Sequence, residues 1–115
     1  MPSFGGGTIS TWVTGTWTTE LLDVSLLNKR DVTNEWTYVQ WNESNTSDEG
    51  KAYVRVDILN SSGTVLQSNL SGAVTGGRKK IVLSDYATVK GVDIYIKFKL
   101  YGKGLSPIID NIEVK

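Results

Sequence analysis

Three short runs concentrate the side chains that could do chemistry: EWTYVQW at residues 35–41, YVRVD at 53–57 and DIYIK at 93–97. They supply Trp36, Tyr38 and Gln40, then Tyr53, Arg55 and Asp57, then Tyr95 and Lys97. Flat aromatic rings beside amide, guanidinium and carboxylate groups are a combination with which proteins hold sugars. The C–H face of a pyranose lies on the ring while the polar groups meet its hydroxyls. Alternation decides which rings are on offer, because successive side chains of a strand point to opposite faces. Trp36 and Trp41 are five residues apart, an odd separation, so a regular strand sends them to opposite sides. On this reading Thr37, Val39 and Trp41 are the core set, and Trp36, Tyr38 and Gln40 the exposed set.

Other chemistries lack their residues. The chain has no histidine and no cysteine, which removes Ser-His-Asp and Cys-His arrangements, the commonest transition-metal ligand, thiolate sites and disulfides. No phosphate-cradling glycine motif precedes a helix, and Gly5-Gly6-Gly7 reads as a terminal run. Asp57 and Asp93 could in principle form a glycosidase pair, but both read as solvated carboxylates of strand faces or turns. If a metal binds, the residue types point to calcium, held by carboxylates near Asp23 and Asp110, with Asp48 and Glu49 also in loops. Asn42, Asn45, Asn60 and Asn69 each begin an N-x-[ST] triplet, which fits a chain rich in Asn, Ser and Thr. Twelve basic and twelve acidic residues leave no net charge, which argues against nucleic acid or an anionic membrane as partner. The run Arg78-Lys79-Lys80 reads as a solvated loop leading into a strand. No apolar run is long enough for a spanning helix, and the first residues lack the pattern of a signal peptide. An extracellular, surface or virion setting is the favoured one.

The elements that must position these residues are strands. With 115 residues the chain suits one domain, here taken as 15–115 with 1–14 as an N-terminal segment that could hold a first strand. Residues 51–59 (KAYVRVDIL) place Ala52, Val54, Val56 and Ile58 on one side, and residues 91–101 (GVDIYIKFKLY) do the same with Val92, Ile94, Ile96, Phe98 and Leu100. Asn60-Ser61-Ser62-Gly63 reads as a hairpin turn into a strand at 64–68. Further strands are expected at 8–13, 16–24, 79–83 and 108–114, with a loop at 72–77 and a helical turn within 84–90. Many short strands and almost no helical periodicity predict an all-β, antiparallel sandwich.

The two ends carry a more specific pattern. GTWTTELLDV at 15–24 and YIKFKLYGKGLSPIIDNIEVK at 95–115 resemble the opening and closing segments of a galactose-binding-like jelly-roll module. This is an accessory type found in surface proteins and phage tail proteins. The resemblance rests on Leu21-Leu22-Asp23 and on Ser106-Pro107-Ile108-Ile109-Asp110-Asn111-Ile112, with EWTYVQW, YVRV and VDIYIKFKL in order between them. It implies a jelly-roll β-sandwich and a non-catalytic module, and it carries over no ligand residue. The YGKG that precedes Ser106 is shorter than the polar loop often found there. Two roles follow as expectations. One is binding of a glycan or cell-surface receptor by Trp36, Tyr38, Gln40, Tyr53, Arg55, Asp57, Tyr95 and Lys97. The other is a structural role, with the aromatic face packing in a homo-oligomer or larger assembly.

Overall fold

A computed structural model of the chain describes residues 13–26, 35–44, 52–102 and 107–115. The expectations for residues 5–12, 45–51 and 103–106, including Gly5-Gly6-Gly7, Asn45, Asp48, Glu49 and Ser106, lie outside the described residues. The strands are β1 (Val13–Thr18), β2 (Tyr38–Ser44), β3 (Ala52–Asn60), β4 (Val65–Leu70), β5 (Ala73–Thr75), β6 (Arg78–Val82), β7 (Ile94–Gly102) and β8 (Ile108–Val114). They form two four-stranded sheets, β1-β7-β3-β4 and β5-β6-β2-β8, and every pairing is antiparallel. The wrapping is nested. β3 and β4 form the innermost hairpin; β2 and β6 pair in the opposite sheet; β1 and β7 pair back in the first sheet beside β3. These nested pairings alternate between the two sheets of an antiparallel β-sandwich, and β8 closes on the other side of β2.

The strand pattern reads directly into the core. β3 and β7 pair in unbroken register from Ala52↔Gly102 to Asn60↔Ile94, and their inward residues Val54, Val56, Ile58, Ile94, Ile96, Phe98 and Leu100 are buried. From the other sheet come Val39, Trp41, Ile81 and Ile109. The Trp41 ring meets Phe98 edge-on at 5.2 Å, the geometry that aromatic quadrupoles favour. Gly72, just before β5, makes room for that indole: a Cβ there would stand 2.9 Å from the Trp41 ring and from the Lys79 Cβ. The β3–β4 turn has the expected chemistry, with the Asn60 side chain accepting from the Ser62 and Thr64 amides and Gly63 at φ 84°.

Several expectations change. β1 runs through Gly15 without a break, so the anticipated boundary at 14/15 falls inside a strand. Beyond it the anticipated strand gives way to an isolated bridge from Leu22 to Ile94 and a single 3-10 turn at Val24–Leu26. The turn is held by Asp93, whose carboxylate accepts from the Val24 amide at 3.0 Å. Asp93 is therefore a structural acceptor. Residues 72–77 contain β5 and a two-glycine turn into β6, and Arg78-Lys79-Lys80 belongs to β6 itself. Residues 84–90 span two short 3-10 turns, Leu83–Asp85 and Ala87–Val89, with Tyr86 between them and Lys90 after.

The parity claim for 35–41 holds for Trp41 and fails for Trp36. Trp41 and Val39 are fully buried, but Trp36 is only 3% exposed and Thr37, assigned to the core set, is exposed. The reason is that β2 starts at Tyr38, so the period of two does not extend back to Trp36. At Thr37 the chain turns its backbone to other partners. The Thr37 carbonyl accepts from Leu83 and Ser84, and the Thr37 and Tyr38 amides both donate to the Lys115 carbonyl. Trp36 thereby enters the end of the core, its indole N–H donating to the Val92 carbonyl at 2.7 Å.

Candidate functional site

The eight residues singled out from the sequence do not meet. Directly opposed residues in a sheet share a face, and the registers put Tyr38 and Gln40 on the outer face of the second sheet. Tyr53, Arg55, Asp57, Tyr95 and Lys97 lie on the outer face of the first, on the neighbouring strands β3 and β7. Trp36 belongs to neither face. It helps to line a small cleft of ≈ 240 Å³ at one end of the sandwich, with Leu83, Tyr86, Val89 and a rim ion pair between Lys90 and Glu35 at 3.0 Å.

The outer face of the second sheet is built around Glu113. Tyr38 and Gln40, two apart on β2, both donate to its Oε1, at 2.9 and 2.5 Å. Two apart again is Asn42, whose side-chain oxygen accepts from Arg78 Nε at 3.0 Å. Lys80 stands over the Tyr38 ring at 4.5 Å from its centroid, a cation–π contact. Alternation along β6 explains why Arg78 and Lys80 share this face. The hydrogen bonds from Gln40 and then Tyr38 hold the Glu113 carboxyl below its ordinary value, and the same contact with Glu113 raises the Tyr38 hydroxyl above its own.

A bulge in β8 opens this face. Gln40 opposes Glu113 and Asn42 opposes Asp110, so Trp41 alone faces both Asn111 and Ile112. Asn111 takes up the extra residue at φ 50°, a left-handed conformation asparagine tolerates better than most residues. Its carbonyl accepts from Arg78 Nη2. Beside the bulge lies a hollow of ≈ 410 Å³ lined by Asn42, Arg78, Asn111, Ile112 and Glu113. Spare capacity remains among the described residues. The second Glu113 oxygen has only Lys115 at 3.9 Å, beyond hydrogen-bond length, and the Asn42 amide keeps its donors. Carboxylate acceptor, amide donors and guanidinium around one hollow can take a ligand rich in hydroxyls. Alternation could have found Asn42, Arg78 and Lys80. Glu113 and the bulge could not be seen before the β2–β8 pairing was known.

The first sheet presents a different face. Tyr53 stacks on Tyr101 at 4.8 Å and 19°, and the Arg55 guanidinium carbon lies 4.6 Å from the Tyr53 centroid. Asp57 is not the solvated carboxylate expected. It pairs with Lys99 at 2.9 Å, the two side chains being 11% and 17% exposed respectively, and it accepts from the Asn69 amide at 2.8 Å. A bulge in β4, where Asn69 adopts φ 55°, brings that amide round. Asp57 is thus closed to a ligand. Lys97, directly across from Asp57, and Tyr95, opposite Leu59, are half-buried on the same face.

The residues suggested for calcium are otherwise employed or on a strand. Asp23 accepts from the Ser25 amide and hydroxyl at 2.9 and 2.6 Å, which lowers its pKa, and Asp110 lies in β8 opposite Asn42. Among the described residues no group of three or more acidic side chains that could hold a metal ion comes together. No helix there is long and apolar enough to cross a membrane. Asn42, Asn60 and Asn69, three of the N-x-[ST] asparagines, each use the side chain in a hydrogen bond within the fold. Compared with known proteins, the chain matches no family model, no curated protein and no solved structure.

Proposed function

We propose that this chain is a non-catalytic binding module whose ligand is a glycan, as in a carbohydrate-binding or receptor-attachment domain of a surface or phage-tail type protein. Membership of the galactose-binding-like family is part of the proposal and rests on the sequence motifs at residues 21–23 and 106–112. The observation that carries the reading is the hollow beside the β8 bulge, where Asn42, Arg78 and Glu113 converge around ≈ 410 Å³. Sugar hydroxyls are both donors and acceptors, and that set supplies both. A chain without histidine or cysteine also suits binding better than acid–base or nucleophilic catalysis.

A glycan array followed by titration calorimetry tests it. The wild-type chain is expected to bind at least one neutral glycan, and Arg78→Ala to weaken that binding at least about tenfold, a loss of about 1.4 kcal/mol. Absence of binding across a broad array sinks the proposal. A second reading, subunit contact in an assembly, draws on Trp17 and Leu21, which are 38% and 39% exposed on and beside the edge strand β1. Light scattering at high concentration addresses it, since a strict monomer counts against self-assembly.

A further inference from the structure

The outer face of the first sheet carries an imbalance of charge. Among the described side chains of β1, β7 and β3 the outward positions are Thr16 and Thr18, then Tyr95, Lys97, Lys99 and Tyr101, then Tyr53, Arg55, Asp57 and Leu59. Their only acid, Asp57, is engaged by Lys99. Arg55 makes no ion pair among the described residues: it donates to the Val54 carbonyl at 3.0 Å and lies over Tyr53. Lys97 has no ion pair there either. The whole chain has no net charge, so this cationic face is a local arrangement.

We infer that this face is a second binding surface, separate from the hollow on the opposite sheet, and that its ligand is an acidic polysaccharide, a polymer whose sugars carry carboxylate or sulfate groups. Arg55 and Lys97 are diagonal neighbours, about 7–8 Å apart at the backbone, placed to meet successive acidic groups. Arginine offers the forked geometry that suits carboxylate or sulfate. The exposed Thr16 and Thr18 add hydroxyls along the same strip. A single-stranded nucleic acid is the competing polyanion, and its affinity depends on bases stacking on open rings. Tyr53 has Tyr101 stacked on it at 4.8 Å and the Arg55 guanidinium at 4.6 Å, so its ring is already engaged. Charge and hydroxyl recognition are what the face retains.

Calorimetry at low and at physiological salt, with polygalacturonate, dextran sulfate, neutral dextran and a single-stranded thymidine oligonucleotide, tests the inference. Binding of either acidic polysaccharide, weakening as salt rises and reduced at least tenfold in the double variant Arg55→Gln/Lys97→Gln, supports it. Which of the two binds identifies the acidic group. The single variant Lys97→Glu, at an outward strand position, serves if the double variant melts below the wild type. Arg78→Ala is expected to leave this binding intact, which separates failure here from failure of the hollow. Equal or tighter binding of the oligonucleotide, binding untouched by the variants, or no binding of either acidic polymer at low salt overturns the inference.

Discussion

The two outer faces of the sandwich use one device to different ends. Each has a bulge at an asparagine in the left-handed region, Asn111 in β8 and Asn69 in β4, at φ 50° and 55°. Each bulge is held by a cation from its own face, Arg78 donating to the Asn111 carbonyl and Lys99 to the Asn69 side chain. On the second sheet the bulge widens the surface, and a hollow opens between groups with unused donors and acceptors. On the first it folds inward over Asp57, and the ion pair with Lys99 is largely withdrawn from water. What differs is the residue opposite. Beneath Asn111 is the buried Trp41, which faces the core and claims none of the outward polar groups. Beneath Asn69 is an outward carboxylate that captures the freed amide.

The contrast can be broken most forcefully at Asp57. Asp57→Ala leaves Lys99 with little solvent and no counter-charge, and should cost about 2–4 kcal/mol in denaturant unfolding, toward or below the range for a lost partner in a buried pair. Arg78→Ala on the open face should cost only about 1 kcal/mol, since water reaches the groups it abandons. Similar losses for both variants would mean that the two faces are equally closed. A smaller effect is expected at the bulges. Asn111→Gly should be near neutral, while Asn111→Ala and Asn69→Ala should each lose about 1 kcal/mol to the left-handed backbone. Asn69→Ala should lose more, because it also removes the acceptor for Lys99.

The smallest effect is a titration. Glu113 should ionise below its ordinary value of 4.5 in the folded chain, measured from its side-chain carbon shifts by NMR, and Gln40→Ala should move it back up. The sign follows from linkage: a depressed folded value contributes stability present above the unfolded pKa and lost as pH falls through the folded one. Acid should therefore loosen the open face at Glu113. A Glu113 value at or above 4.5 would contradict the network with Tyr38 and Gln40.

Much of the architecture was legible in the order of residues. Alternation is a local property of the backbone, so the inward sets of β3 and β7, the turn at Asn60 to Gly63 and the burial of Val39 and Trp41 could all be read without knowing what lies beside them. Alternation stops being informative where a strand ends, which is why Trp36 and Thr37 changed places. It also says nothing of neighbours. That Tyr38 and Gln40 stand on one sheet while Tyr53, Arg55, Asp57, Tyr95 and Lys97 stand on the other follows from the order in which the strands pair. So does the meeting of Gln40 with Glu113, residues 73 positions apart. The sequence by itself determined that the chain makes a two-faced β-sandwich and which side chains each strand turns outward. Only the tertiary structure decided which outward groups satisfy one another and which stay available, because that depends on pairing and bulges set by contacts distant along the chain.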